Sequence, residues 1–286
     1  MKMAAKTDNK KTPANADKKK AALESVAPEQ KELTPYEIVC RSRDKTRPTA
    51  VKYIAGIVDG FIELHGDRGF ADDAAIIGGI GRIGGMPVTV IGIEKGVDTA
   101  DKIKHNFGGA SPEGYRKALR LMKQAEKFNR PVLNIVDTSG AACGIGAEER
   151  GEAEAIAVNL MKMAGLKVPV LSLFIGEGGS GGALGLAVAD EVWITETSTY
   201  SVISPEGCAS ILYKDSSKVR EAAEALKLTA PELLKKKAVE RVIEEKDFSD
   251  GYFAALKSDI AEFFKKKAAV PVEQLVAERY KRFRAF

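Results

Sequence analysis

The stretch VPVLSLFIGEGGSGGALGLAVAD, from Val168 to Asp190, decides the fold of this chain. Its first part, Val168–Ile175, is apolar and partly β-branched, which predicts a strand buried on both faces. Five glycines then fall within Gly176–Gly182, and residues without a Cβ allow a sharp turn or a close approach of the backbone. The small residues of Ala183–Ala189 predict a helix that packs on this strand. The start of such a helix presents unpaired N–H groups to an anion.

Two functional motifs match parts of this stretch. GEGGSG at residues 176–181 satisfies the dinucleotide fingerprint, with Glu196 at about the distance of a ribose-binding acid. That fingerprint normally opens a domain, whereas a long α/β segment precedes it here. GGSGG at residues 178–182 satisfies the nucleophile elbow around Ser180, but α/β-hydrolases place their histidine after the serine, and both histidines precede it here.

Other interpretations of the glycines stay open from the pattern alone. A serine hydrolase of another fold is one, because some serine enzymes place the histidine first. A turn that only lets a helix pack tightly on a sheet is another. No Lys-Ser or Lys-Thr pair stands directly after the glycines, which excludes an ATP phosphate loop there.

Length and composition predict an ordinary α/β protein. The 286 residues allow one large domain or two small ones. No apolar run reaches the ~20 residues that a membrane span needs, and the N-terminus lacks the apolar core of a secretory signal. Cys40, Cys143 and Cys208 have no CxxC spacing, so the pattern predicts neither a zinc site nor a disulfide framework. We therefore expect a cytoplasmic protein with no metal in this chain and no contact with a membrane.

The chain divides into three predicted segments. Residues 1–32 hold eight lysines against five acidic residues, a composition that predicts a disordered tail, with contact to nucleic acid or an acidic partner as the alternative. Residues 33–250 are predicted as the main α/β domain, which begins with a helical segment. Residues 251–286 are predicted as a helical, basic C-terminal tail.

Strands and helices alternate along the predicted main domain. Thr34, Pro35 and Glu37 form a capping box for a first helix, and a second amphipathic helix is predicted from Val51 to Leu64. Two strands flank the turn Gly84-Gly85. Repeated strand–turn–helix units then predict a mostly parallel sheet covered by helices.

Two of these units share one design. PVLNIVDTSGAACGIG at residues 131–146 and PVLSLFIGEGGSGGAL at residues 169–184 each read as strand, small-residue turn and helix. Sites in α/β sheets lie beyond the carboxyl ends of the strands, so the two turns are predicted to converge there. Two backbone N–H groups aimed at one oxygen form an oxyanion hole, and a site of this kind needs no histidine.

From about Leu33 to Glu245 the chain resembles the α subunits of acetyl-CoA carboxylase carboxyltransferases, a family within the crotonase superfamily. The resemblance rests on ordered blocks: LTPYEIV, ELHGDRGFADD, IGGIGRIGGMPV, FGGASPEGYRKALRLM, GAEERGEAEAIAVNL, IGEGGSGGALGLAVAD and STYSVISPEGCASIL. It implies that residues 33–250 form a crotonase-like (ClpP/crotonase) α/β domain, with a core of repeated β-β-α units in a spiral and flanking helices.

The resemblance also implies a reaction and its partners. Carboxybiotin, held on a biotin carboxyl carrier protein rather than on this chain, gives its carboxyl group to acetyl-CoA, and malonyl-CoA results. A β subunit with a zinc ribbon completes the enzyme, in an α2β2 assembly that works with biotin carboxylase. The alternatives are transfer to another acyl-CoA, a stand-alone crotonase-type hydratase or hydrolase that uses Glu206 or Glu148, and a non-catalytic regulatory subunit.

The predicted site combines the two turns with this chemistry. The predicted catalytic N–H groups, which bind the ureido oxygen, are those of Gly181, Gly182, Ala141 and Ala142, and the predicted substrate-binding residues are Gly178, Gly179, Gly144 and Lys95. Ser180 is expected to be a small packing residue. For Lys95, a simply solvated loop lysine is the alternative interpretation.

Two positions depart from the pattern of the family. Where the family usually has DTPGAYPG, this chain has DTSGAACG, so that Ala142 stands in place of an aromatic residue and Ser139 in place of a proline. In GIEKG, Ile93 stands where the family usually has a polar residue. The loss of a bulky side chain at position 142 and of a proline at position 139 leaves three interpretations: a wider biotin pocket, acceptance of another ring or acyl group, or weakened activity. The resemblance therefore does not determine the acyl group that is accepted.

Overall fold

The computed structural model describes residues 33–286, and the tail predicted over residues 1–32 lies outside the described residues. Residues 34–286 form one compact unit. The helices are α1 (Pro35–Ser42), α2 (Ala50–Ile57), α3 (Thr99–Lys104), α4 (Pro112–Lys127), α5 (Ile145–Glu149), α6 (Glu152–Ala164), α7 (Ser180–Leu184), α8 (Pro205–Cys208), α9 (Val219–Leu226), α10 (Ala230–Lys235), α11 (Asp250–Ala268) and α12 (Val272–Phe283). The strands are β1 (Asp59–Glu63), β2 (Ile76–Ile83), β3 (Met86–Ile93), β4 (Val132–Thr138), β5 (Val170–Gly179), β6 (Glu191–Thr195), β7 (Thr199–Ser201) and β8 (Arg241–Ile243).

All these strands belong to one mixed sheet with the order β1-β2-β3-β4-β5-β6-β8, while β7 pairs with the far end of β5. The pairs β1–β2 and β2–β3 are antiparallel, and every later pair is parallel. The predicted mostly parallel sheet is therefore confirmed. The predicted hairpin is confirmed as well, with Ile83 opposite Met86 and positive φ at both Gly84 and Gly85, as a two-residue hairpin turn requires.

Helices cover both faces of the sheet and bury its apolar strands. On one face α4 and α6 pack over the sheet, and Leu121 and Met122 of α4 are fully buried there. On the other face α2 and α11 cover the strands with aromatic side chains such as Tyr53 and Phe253. Burial on both faces explains the continuous apolar runs of β4 and β5.

Two predicted helices have different bounds in the structure. The helix predicted from Val51 to Leu64 is wrong in its second half, because α2 ends at Ile57 and Asp59–Glu63 is strand β1. Val58, the residue after α2, already has extended backbone angles (φ −115°, ψ 121°), and pairing with β2 gives the following backbone its hydrogen bonds. The helix predicted over Ala183–Ala189 instead spans Ser180–Leu184, because the strand before it continues to Gly179.

The segment predicted as a C-terminal tail is helical, but it is part of the core. Phe253 and Phe264 of α11 are buried against the sheet, and Arg279 of α12 is only 1% exposed. The guanidinium of Arg279 binds both carboxylate oxygens of Asp190, at 2.8 and 2.9 Å. It also donates to the carbonyl oxygens of Met163, Leu166 and Val168. All five of its N–H groups are thus engaged, so α12 is fastened to the loop that leads into β5.

The basic residues of α4 hold the loop that joins β1 to β2. Lys117 is fully buried, with its Nζ 2.6 Å from Asp72 Oδ1. Arg116 donates to Asp67 at 2.7 Å, and Arg120 donates to the Gly66 carbonyl at 2.9 Å. This face of α4 is therefore an internal anchor.

Candidate active site

An irregularity in β5 shapes the carboxyl end of the sheet. Val136 of β4 is paired with Phe174, but Thr138 is paired with Gly178, so β5 carries extra residues between the two pairs. The Asp137 carboxylate fills the space beside this bulge, and a Cβ on Gly176 would overlap it. The Glu177 N–H donates to Asp137 Oδ1 at 2.9 Å. Glycine is therefore needed at position 176 for close approach of a carboxylate.

The two small-residue turns converge, as the sequence predicted. A Cβ on Gly179 would overlap the Ser139 carbonyl oxygen. A Cβ on Gly182 would lie 2.5 Å from the Ala141 nitrogen and 2.7 Å from the Gly140 carbonyl carbon. In both cases the added Cβ would overlap backbone atoms of the first turn, so there is no room for a side chain at Gly179 or Gly182.

The hydrogen bonds at this junction distinguish Ala142 from the other three predicted N–H donors. Gly181 and Gly182 are in the first turn of α7, where their N–H groups have no intrahelical acceptor. The Ala141 N–H lies in the loop before α5 and donates to no backbone acceptor among residues 33–286. The Ala142 N–H, in contrast, donates to the Ala110 carbonyl at 2.9 Å. This bond counts against Ala142 as a donor to a substrate.

The predicted substrate-binding glycines are placed differently from one another. Gly178 and Gly179 are not in a turn but at the end of β5, opposite Tyr200 and Ser201 of β7, and they line a small pocket together with Ser139. Gly144 caps α5 with a φ of 127°. It lies in the exposed part of the first turn, with open space around its Cβ position.

Ser180 is exposed and has a φ of 51°, so the expectation of a packing residue is wrong. A serine at a strained turn between strand and helix is the backbone geometry of a nucleophile elbow. Both histidines, however, have partners of their own: His65 Nδ1 lies 2.9 Å from Asp72, and His105 Nδ1 lies 2.8 Å from the Asp101 carbonyl. Neither is hydrogen-bonded to Ser180, so the elbow has no histidine base in the described part of the chain.

A chain of ion pairs runs beside the two turns. Lys95 Nζ lies 2.8 Å from Asp137 Oδ1 and 3.1 Å from Glu177 Oε2. On its other oxygen Glu177 binds Arg43 Nε at 2.7 Å, and Arg43 Nη1 binds Glu206 at 2.7 Å. The Lys95 side chain is only 18% exposed, so the alternative of a solvated loop lysine is wrong. Its ammonium group pairs with carboxylates inside the protein.

These pairs hold their groups in the charged state. Burial alone would raise the pKa of Glu177, but Lys95 and Arg43 lower it below its ordinary value. Burial likewise opposes the charge of Lys95, yet the carboxylates of Asp137 and Glu177 raise its pKa. The Arg43 hydrogen bond lowers the pKa of Glu206. Glu206 is therefore a poor proton donor, which argues against its role as general acid in a stand-alone hydratase or hydrolase.

Sequence reasoning missed Glu177, Asp137 and Arg43 as residues of this region. A signal for Glu177 existed, because it is the one charged residue between Val168 and Ala189. Asp137 has a similar signal as the charged residue that ends an apolar strand. Arg43 had none, because its contact with Glu177 spans 134 residues.

Within residues 33–286 no group of three or more His, Cys, Asp and Glu side chains is arranged to hold a metal ion. No helix in this range is both long enough and apolar enough to cross a bilayer.

The comparisons with known proteins agree with this architecture. The family model described as acetyl co-enzyme A carboxylase carboxyltransferase-like matches residues 1–286. The chain belongs to this family. The acetyl-coenzyme A carboxylase carboxyl transferase subunit alpha of Streptococcus sanguinis is 55% identical over 250 residues, which cover 87% of this chain and 98% of the relative. The subunit alpha of Clostridium acetobutylicum is 54% identical, with 88% and 94% covered.

Another relative of this carboxyltransferase-family chain is longer. The "subunits beta/alpha" protein of Natranaerobius thermophilus is 53% identical over 95% of this chain, but the chain spans only 46% of that protein. Among solved structures, a transcarboxylase 12S structure matches with a TM-score of 0.66 at 20% identity, with 83% of this chain and 45% of that one covered. The β subunit of Pseudomonas aeruginosa geranyl-CoA carboxylase gives 0.62 at 20% identity, with 84% and 46% covered. These likenesses confirm the predicted crotonase-like α/β fold.

Proposed function

We propose that this chain is the α subunit of an acetyl-CoA carboxylase carboxyltransferase. Together with a β subunit it transfers the carboxyl group of carboxybiotin to acetyl-CoA, and malonyl-CoA is formed. Family membership supports this proposal, as do the names of the relatives from Streptococcus sanguinis and Clostridium acetobutylicum, nearly all of whose length this chain covers. The joined beta/alpha relative supports a β subunit as the partner.

The junction of the two turns supports the chemical part of the proposal. Carboxybiotin supplies the carboxyl group, and loss of this group leaves negative charge on the ureido oxygen of biotin. Gly181 and Gly182 offer N–H groups without an intrahelical acceptor, next to the backbone of Ala141. We assign these three N–H groups to the ureido oxygen, and we leave out Ala142 because its N–H is bonded to Ala110. Each such donor typically contributes ~3–4 kcal/mol to the transition state.

We assign the ion pairs a structural role beside the two turns. Asp137 lies in β4 one residue before its end at Thr138, and Glu177 lies in β5 just before Gly178. Lys95 joins both carboxylates, so it ties the ends of the two strands together. We therefore assign Lys95 to positioning of the turns, in place of the direct substrate contact that the sequence suggested. Gly178 and Gly179 are proposed to shape the pocket rather than to donate to the substrate, and Gly144 is proposed to allow the turn into α5.

The wider assembly is part of the same proposal. We propose that a biotin carboxyl carrier protein brings the carboxybiotin, that biotin carboxylase reloads it, and that the β subunit carries the zinc ribbon and most of the CoA site. An α2β2 complex in the cytoplasm is the expected form.

The test is an assay of the complex. The chain is purified with a β subunit of its family, and biotin-dependent decarboxylation of malonyl-CoA is measured for the wild type and for Ala142→Tyr. Activity of the complex, with each subunit inactive alone, supports the proposal. A complex that forms but stays inactive contradicts it. If Ala142→Tyr restores activity to such a complex, the chain is a respecialised subunit. If propionyl-CoA or a longer acyl-CoA is carboxylated better than acetyl-CoA, the proposed substrate is wrong.

A further inference from the structure

We propose that Tyr115 is a positioning residue for the N–H groups of α7, an inference that rests on the oxyanion role proposed above. Tyr115 belongs to α4, and its side chain is fully buried. Its hydroxyl donates to the Gly182 carbonyl oxygen at 3.0 Å. This is a direct hydrogen bond to the residue whose N–H is assigned to the substrate, and it comes from a different helix.

The two peptide groups on either side of Gly182 are both held. The Gly185 N–H donates to the Gly181 carbonyl at 2.9 Å, and that carbonyl belongs to the same planar peptide group as the Gly182 N–H. Tyr115 holds the next peptide group through the Gly182 carbonyl. Because peptide groups are planar, the first bond orients the Gly182 N–H directly, and the Tyr115 bond restrains it through the Gly182 Cα that joins the two peptide groups.

Other buried side chains hold the residues that follow. Asn159 donates to the Gly185 carbonyl at 3.3 Å, and Asn134 and Ser172 both donate to the Leu186 carbonyl, at 2.9 and 2.6 Å. A helix of five residues is too short to be stable by itself, and its last carbonyls need partners outside the helix. The orientation of α7 therefore depends on these polar side chains. Among them Tyr115 is the one that contacts Gly182.

Packing and protonation favour the same role. The Tyr115 ring lies against Gly185, where a Cβ would come within 2.9 Å of its Cε1 atom, so the ring and the end of α7 fit without free space. Burial raises the pKa of Tyr115 far above its ordinary value. The hydroxyl thus stays a donor throughout the pH range of an assay. Removing it leaves a buried carbonyl without a partner.

The experiment compares Tyr115→Phe with Tyr53→Phe in the full-length chain with its β subunit. Tyr53 is the matched control because it is also fully buried and its hydroxyl also has a partner, the Tyr252 hydroxyl at 3.2 Å, on the opposite face of the sheet. Two readouts are used: kcat and KM for malonyl-CoA decarboxylation, and amide hydrogen exchange of the peptide over residues 180–187.

For Tyr115→Phe we expect kcat to fall by about tenfold, because a small displacement of a positioned group has a large effect on rate. KM stays unchanged, since the interaction concerns the transition state, and exchange over residues 180–187 becomes faster. Tyr53→Phe changes neither readout. If Tyr115→Phe keeps the wild-type kcat in an active complex, or if both variants lose the same activity, the proposal is overturned.

The two readouts also separate this inference from the proposed function. A wild-type complex without activity contradicts the proposed function, and the exchange measurement then decides about Tyr115 alone. Faster exchange only in Tyr115→Phe supports its role in holding α7. Unchanged exchange over residues 180–187 overturns it.

Discussion

The backbone nitrogen of Ala141 lies 2.5 Å from the position that a Cβ on Gly182 would occupy. A separation this short is not found for real Cβ atoms, and the neighbouring Gly140 carbonyl carbon is at 2.7 Å. Because both neighbours are backbone atoms, no side-chain rotation relieves the overlap. The two turns of the candidate active site are therefore in contact only because residue 182 has no side chain.

This contact predicts the effect of Gly182→Ala. The added methyl group pushes α7 away from the first turn, so we expect decarboxylation of malonyl-CoA by the complex to fall by about 10² or more. Gly165→Ala is the control, since no atom lies within 4 Å of its Cβ position at the end of α6. Wild-type rates for Gly182→Ala would mean that the two turns do not act together.

Lys95→Met should destabilise the protein by about 3 kcal/mol, because it leaves the Asp137 carboxylate without a cationic partner and Glu177 with Arg43 alone, in a largely buried place. Urea unfolding of the isolated chain measures the change. Lys246→Met is the matched control: Lys246 also pairs with a glutamate, Glu244 at 3.1 Å, but both side chains are about three-quarters exposed, and such a pair contributes about 0–1 kcal/mol. Equal effects of the two substitutions would show that the ion pairs near the turns are not structural.

The C-terminal helix is expected to stabilise the whole domain. Arg279→Met leaves the Asp190 carboxylate and three carbonyl oxygens without their partner, which predicts a loss of about 3–5 kcal/mol in the free energy of unfolding. Arg284→Met, at an exposed position just after α12, should have little effect. A separate, low-temperature unfolding of α12 with no change in the main transition would contradict this expectation.

The raised pKa of Glu152 predicts that the stability of the protein depends on pH. It is 4% exposed, and neither carboxylate oxygen has a hydrogen-bond partner in the described residues. Burial first, and then the nearby charges of Asp73 and Glu113, raise its pKa from 4.5 to about 8. Between these two values the unfolded chain loses the proton while the folded chain keeps it, so stability falls as the pH rises from about 4.5 to about 8.

Glu152→Gln removes this titration. Thermal unfolding at a series of pH values should show the variant gaining stability relative to the wild type as the pH rises through this window, with the largest gain at or above pH 8. Parallel curves for the two proteins would mean that Glu152 is charged in the folded state.

Local chemistry made several features predictable. The capping box at Thr34 is present as expected, with Glu37 bonded back to the Thr34 N–H, because all its atoms lie within one turn. The convergence of the two turns followed from the common direction of parallel strands. Strand β1 was missed because residues 59–63 do not alternate clearly, and its pairing with β2 depends on a distant partner. The roles of Lys117, Arg279 and Arg43 were missed for the same reason, since charge alone does not distinguish a buried anchor from a solvated side chain.

The proposed oxyanion site requires that the N–H groups of Gly181, Gly182 and Ala141 point toward the substrate. The most direct measurement is a structure of the complex with the β subunit and bound biotin, in which the position of the ureido oxygen is determined. We predict that this oxygen lies about 3 Å from the nitrogens of Gly181, Gly182 or Ala141, while the Ala142 N–H keeps its bond to Ala110. A ureido oxygen bound by other groups, with these N–H groups turned away from it, would contradict the proposed oxyanion site.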